Sequence, residues 1–216
     1  TGRICLFGPP GTGKTAWGRW LAGQLEKPLI VKRASDLLSM YVGGSEKAIA
    51  EAFSQARDEN AVLMIDEVDS FLQDRRSAVR SWEVTQVNEL LTQMEGYDGI
   101  FIASTNLMEG MDQAALRRFD IKAKFKFLTL DQAWELLCRH CAAAGLAAPL
   151  AAIRQDLALL DRLTPGDFAV VERHQRFGRF TDAMEWVEAL EVECEMKQDI
   201  VRPIGFANHR ASGGAR

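Results

Sequence analysis

Near the start of the chain, Gly8-Pro9-Pro10-Gly11-Thr12-Gly13-Lys14-Thr15 fits the pattern G-x-x-x-x-G-K-[ST] at every fixed position. Glycines in such a loop let backbone N–H groups close around an anion, and a helix starting there adds partial positive charge. Lys14 can reach the β- and γ-phosphates of a nucleotide, and the Thr15 hydroxyl can take a place on Mg²⁺. A second group, Asp66-Glu67, ends the apolar run Ala61-Val62-Leu63-Met64-Ile65. Asp66 can hold Mg²⁺ through water, and Glu67 can polarise a water that attacks the γ-phosphate. A third, Thr105-Asn106, follows the apolar run Ile100-Phe101-Ile102-Ala103-Ser104. There Asn106 can orient that water with Glu67 and sense the γ-phosphate. The chemistry these residues suit is hydrolysis at the γ-phosphate of a nucleotide, with Mg²⁺ as the expected metal.

These groups need strands that end side by side. The run Ile4-Cys5-Leu6-Phe7 reads as a buried strand, followed by a helix with Trp17, Trp20, Leu21 and Leu25 on one face. Pro28 to Arg33 reads as a second strand and Ser39 to Ser45 as a loop. A helix follows with Ala48, Ile49, Ala52, Phe53 and Ala56 on one face. The continuous run at 61–65 predicts a parallel strand covered on both faces. Segment 70–83, with Arg75, Arg76, Arg80 and Trp82, reads as a loop. Val87, Leu90, Leu91 and Met94 mark a helix that stops near Gly96, and a short helix is expected around 113–116. Lys122 to Phe127 alternates like an edge strand guarded by lysines. Strands alternating with helices predict an α/β fold with a parallel sheet. From Thr129 the strand pattern ends, and helices are expected at 130–143, at 151–162, from Thr164-Pro165, and up to about 198. The last carries Ala183, Val187, Leu190 and Cys194 on one face. The expected organisation is an α/β core over 1–128, a helical domain over 129–200 and a mobile tail over 201–216.

The 216 residues carry a net charge of −4, which supplies no basic field for nucleic acid or an anionic membrane. No apolar run is long enough to span a bilayer. Because the chain opens on a core strand, it is expected to be a piece of a longer protein. Cys138 and Cys141 form a C-x-x-C pair around His140, but a zinc site needs further ligands. At i and i+3 of a helix with Ala133, Trp134 and Leu137, both read as core thiols. Reduced thiols with a nucleotide site fit the cytoplasm.

In combination the motifs resemble an AAA+ ATPase of the AAA branch, which remodels proteins. Gly8 to Thr15 resembles Walker A, and Val62 to Glu67 resembles Walker B. Ser104-Thr105-Asn106 through Arg118-Phe119-Asp120 resembles the second region of homology, with Asn106 as sensor 1. Tyr41-Val42-Gly43 followed by Ser45-Glu46 is similar to the first pore loop. Thr164 to Phe168 is similar to the start of the lid helix, which brings Gly166 to the adenine. The resemblance implies a P-loop NTPase with a five-stranded parallel sheet in the order 5-1-4-3-2, followed by a small all-α lid. It also implies a homohexameric ring with ATP between neighbours and an arginine finger acting in trans, for which Arg117 and Arg118 are candidates. Tyr41, Val42 and Gly43 would grip a protein client. Here the two arginines are adjacent, and the family spacing to Phe119-Asp120 favours Arg118, leaving Arg117 to pair with an acid or support the loop. Gly44 stands where many members have Glu.

An ATP-driven protein remodeller is therefore the leading expectation. A nucleic-acid motor or loader would use the same ATP site, but the acidic balance and the aromatic–apolar–Gly loop speak against it. A nucleotide-dependent scaffold with little turnover would not need both Glu67 and Asn106.

Overall fold

Val62, Leu63, Met64 and Ile65 are all fully buried, and they alternate between two different cores. This is what period-2 side chains do in a strand covered on both faces. A computed structural model describes residues 1–39, 41, 43–72, 81–106, 113–175 and 178–199. Val42, Arg75, Arg76, Arg80 and the tail from Arg202 lie outside the described residues.

The chain divides into two units, one formed by Thr1–Leu128 with Thr164–Gly166, the other by Thr129–Leu163 with the chain from Asp167. The first unit is built on a parallel sheet of β1 (Gly2–Phe7), β2 (Leu29–Arg33), β3 (Val62–Asp66), β4 (Ile100–Thr105) and β5 (Ile121–Lys124). Its order is β2-β3-β4-β1-β5, the expected 5-1-4-3-2 read from the other edge. In register, Phe7 pairs with Thr105, and β3 pairs with β4 up to Ile65 and Ala103. The three chemical groups of the sequence thus sit at the C-terminal ends of neighbouring strands, where open α/β sheets place their ligands.

One core joins Leu63, Ile65, Phe101 and Ala103 to α3 (Gly44–Asp58) and α5 (Ser81–Glu95) through Ile49, Phe53, Leu90 and Met94. The opposite core joins Ile4, Leu6, Met64 and Ile102 to α1 (Lys14–Gln24). Here the structure corrects the predicted face of α1. Its buried positions are Lys14, Gly18 and Ala22, whereas Trp20 is 57 % exposed and Leu25 is also exposed. The helix lies so close to the sheet that a Cβ at Gly18 would come within 2.7 Å of Met64 Sδ. Small residues win the buried face, and Trp17 and Leu21 flank it.

The predicted loop over 70–83 is partly helical, since α4 covers Asp69–Leu72 and α5 begins at Ser81. A short helix, α2 (Ala34–Leu37), precedes Tyr41, and Gly44 and Ser45 already belong to α3. A further short helix, α6, covers Gln113–Leu116. In the second unit, α7 (Leu130–Ala143) starts at a capping box between Thr129 and Gln132. The helix expected over 151–162 shrinks to α8 (Ile153–Leu157); α9 covers Pro165–His174 and α10 Ala183–Asp199. Leu137, Cys141, Phe168, Val171, Trp186 and Leu190 form the buried interior. Cys138 is only half-buried, because the inward stripe of α7 runs through Ala133, Leu137 and Cys141 at a spacing of four.

Candidate active site

A cleft of about 430 Å³ in the first unit is lined by Pro10, Gly11, Gly13, Lys14, Thr15, Asp66, Glu67, Asn106, Pro165 and Gly166. The loop between β1 and α1 bends through positive φ, +76° at Gly11 and +91° at Gly13, a region L side chains enter at a cost. Gly11 is doubly constrained, because a Cβ there would approach Thr164 Oγ1 to 2.8 Å. Gly166 N donates to Gly11 O at 2.9 Å, a contact within the first unit. Thr12 closes the turn by donating to Pro9 O at 2.8 Å.

Lys14 is buried, and its ammonium donates to Gly8 O (2.8 Å), Pro9 O (2.9 Å) and Asn106 Oδ1 (2.8 Å). Burial pushes its pKa down, opposed by the carboxylates of Asp66 and Asp69. Thr15 Oγ1 donates to Asp66 Oδ2 at 2.7 Å, and the Ser104 hydroxyl donates to Asp66 Oδ1. A hydroxyl and a carboxylate in contact at the start of α1 form an oxygen set suited to Mg²⁺, a hard cation.

Glu67 adopts φ +57°, in the left-handed region. Such a conformation costs a non-glycine residue on the order of 1–3 kcal/mol and persists only where neighbours hold it. Glu67 N donates to Asp66 Oδ1 at 3.1 Å, and Val68 N donates to Ser104 O at 3.0 Å. The strand therefore turns sharply after Asp66 and leaves Glu67 exposed on the cleft, with Asn106 also on its lining.

Arg118 is half-buried and pairs with Glu95 at the end of α5, while Arg117 is exposed. The acid partner thus belongs to Arg118, not to Arg117. Arg3 grips Asp120 through Nε (3.1 Å) and Nη2 (3.1 Å), fixing the segment after the arginines to β1. The same guanidinium holds the Asp120 carboxyl below its ordinary pKa. Tyr41 and Gly43 lie away from the cleft lining. The Tyr41 side chain is exposed, but its backbone is tethered: its N–H donates to Ser39 Oγ at 3.2 Å, and its carbonyl accepts from Gly44 N at 3.0 Å. Ser39 N and Gln86 Nε2 both donate to the buried Ser45 hydroxyl, at 2.8 and 3.2 Å. No motif in the sequence marks Asp69, whose carboxylate accepts from the Thr105 hydroxyl. Its only sequence signal is an acid three residues beyond Asp66. A larger hollow in the second unit, lined by Glu172, Arg173, Gln175 and Arg179, holds none of the expected site residues.

Residues 4–127 match the family model "ATPase family associated with various cellular activities (AAA)". The chain is 33 % identical over 173 residues to an ATP-dependent zinc metalloprotease FtsH of Cutibacterium acnes (strain SK137), covering 76 % of this chain and 23 % of that protein. It is 36 % identical over 142 residues to spastin of Drosophila erecta, covering 62 % and 19 %. It thus spans about a fifth of the length of such relatives. A crystal structure of the FIGL-1 AAA domain in complex with ADP superposes with a TM-score of 0.65 at 25 % identity, over 94 % of this chain and 72 % of that one.

Proposed function

The chain belongs to the ATPase family associated with various cellular activities, and from that premise we propose that its cleft binds ATP and hydrolyses it to drive remodelling of a protein client. The observation that carries this reading is the convergence of Lys14, Thr15, Asp66, Glu67 and Asn106 on one cleft. An ADP-bound solved relative and an ATP-dependent FtsH relative support adenine nucleotide as the ligand. The loop N–H groups of Gly11 and Gly13 bind phosphate oxygens. Lys14 exchanges its carbonyl partners for the β- and γ-phosphates. Gly166, on the cleft lining, would contact the adenine. Thr15 and Asp66 would hold Mg²⁺, which when bound neutralises charge on the phosphates. Glu67 accepts the proton of the attacking water, and Asn106 fixes that water or the γ-phosphate by a hydrogen bond.

The same reading places subunits in a homohexameric ring, with Arg117 or Arg118 reaching the neighbour's γ-phosphate and the Tyr41 loop gripping the client. The exposed Tyr41 on a tethered backbone supports the last assignment. Free Cys5, Cys138, Cys141 and Cys194 fit a reducing compartment, the cytoplasm. Among the described residues no helix is long and apolar enough to cross a membrane.

Glu67→Gln tests the reading. In the full-length protein with ATP and Mg²⁺, its affinity for a fluorescent ATP analogue should stay within a factor of about two of the unaltered protein. Turnover should fall by roughly 10²–10⁴-fold, the range for loss of a general base. Unchanged kcat would remove Glu67 from this role, and a parent protein that binds no nucleotide would remove the ATP site.

A further inference from the structure

The paired register of β3 and β4 stops at Ile65 and Ala103, one residue short of Asp66 and Ser104. Beyond it the two chain segments are joined differently. The Ser104 hydroxyl donates to Asp66, Val68 N donates to Ser104 O at 3.0 Å, and the Thr105 hydroxyl donates to Asp69. These links alternate with the two groups the reaction needs. Glu67 lies between Asp66 and Val68, and Asn106 directly follows Thr105. Thr105 is 1 % exposed, so its hydroxyl bond is shielded from competing water.

We propose that Asp69 is a positioning residue: by holding Thr105 at the last point before Asn106, it fixes the Asn106 carboxamide relative to Glu67, so that both act on one water. Asp69 sits at the start of the short α4, two residues past the strained Glu67, so a single carboxylate ties the segment carrying the base to the strand carrying the sensor. The proposal rests on the ATPase reading for its kinetic consequence, but the geometry it asserts does not depend on turnover.

Asp69 also contributes charge toward Lys14, and the test separates that effect from the hydrogen bond. Asp69→Asn keeps an acceptor oxygen for Thr105 and removes the charge; Asp69→Ala removes both; Thr105→Val removes the donor. With full-length protein, ATP and Mg²⁺, Asp69→Ala and Thr105→Val should each lower kcat by about 10–10²-fold, the scale of a misplaced catalytic group. Affinity for a non-hydrolysable ATP analogue should hold. The double variant should be no slower than either single one, and Asp69→Asn should recover most of kcat. The side-chain amide resonances of Asn106, identified by their loss in Asn106→Ala, should shift or broaden in Asp69→Ala and Thr105→Val but not in Asp69→Asn. This arm reads the geometry even if the parent protein turns over no ATP. Three results overturn the proposal: normal kcat and unmoved Asn106 resonances in Asp69→Ala; additive losses in the double variant; or an Asp69→Asn protein as slow as Asp69→Ala, which would assign the effect to charge. If Asp69→Ala does not fold, Thr105→Val and Asp69→Asn still decide between bond and charge.

Discussion

The Lys14 ammonium and the Asn106 carboxamide oxygen lie 2.8 Å apart, across 92 residues of sequence. With Gly8 O and Pro9 O this gives the buried ammonium an acceptor for each of its three protons. Asn106 therefore has a part in stability as well as in the proposed chemistry. Asn106→Ala leaves one buried donor without that acceptor, which costs roughly 1–3 kcal/mol. Urea unfolding without nucleotide should show this loss. Saturating ATP should shrink it, because phosphate oxygens then serve the same ammonium. A variant as stable as the parent would mean that Lys14 is not held by Asn106 in solution.

The ion pair with Glu95 moves the expectation for the trans-acting arginine from Arg118 to Arg117. Arg118 is engaged within its own subunit, whereas Arg117 projects into solvent. In the assembled full-length protein, Arg117→Ala should lower turnover by about 10³-fold or more, the scale of an arginine finger, with ATP affinity and thermal midpoint preserved. Arg118→Ala should lose less turnover. Because the pair is partly exposed, it should shift stability by no more than about 1 kcal/mol. Normal turnover in Arg117→Ala, with a large loss in Arg118→Ala, would return the assignment to Arg118.

Cys5 supplies a pH dependence. Burial in β1 pushes its thiol from an ordinary 9.0 up to about 11, opposed by Lys122. Below pH 9 the thiol keeps its proton in both folded and unfolded chains, and the stabilising preference for the neutral form is fully present. Between about 9 and 11 the unfolded chain releases a proton that the folded chain retains, so stability falls as pH rises. The loss reaches about 2–3 kcal/mol near the folded pKa, at 1.36 kcal/mol per unit. Unfolding free energies at pH 8 and 11 should converge for Cys5→Ala relative to the parent. Parallel pH profiles would show that Cys5 does not titrate in this window.

What local pattern encodes was legible in the sequence. The phosphate loop, the strands ending at Asp66 and Thr105, and α7 follow from short-range chemistry and period. The buried face of α1 was not legible, because hydrophobicity points to Trp17 and Trp20 while close packing on Met64 and Ile102 demands Gly18 and Ala22. The Thr105–Asp69 and Arg118–Glu95 pairs were hidden for another reason. They join residues 36 and 23 positions apart, and no periodicity marks a polar partner at that range. α8 is shorter than the pattern predicts because the alanines and leucines of 151–162 favour a helix everywhere, while the chain leaves the helix after Leu157.

Helix α5 is fastened at two points, by Gln86 to the Ser45 hydroxyl beneath the Tyr41 loop and by its last residue, Glu95, to Arg118. The span between those fastenings is about 13 Å at roughly 1.5 Å per residue. A helix braced by its own backbone hydrogen bonds transmits axial thrust like a connecting rod. The Arg118 ion pair and the Ser45 hydrogen bond beneath Tyr41 are therefore joined through one length of helical backbone, with no chain of side-chain contacts needed between them.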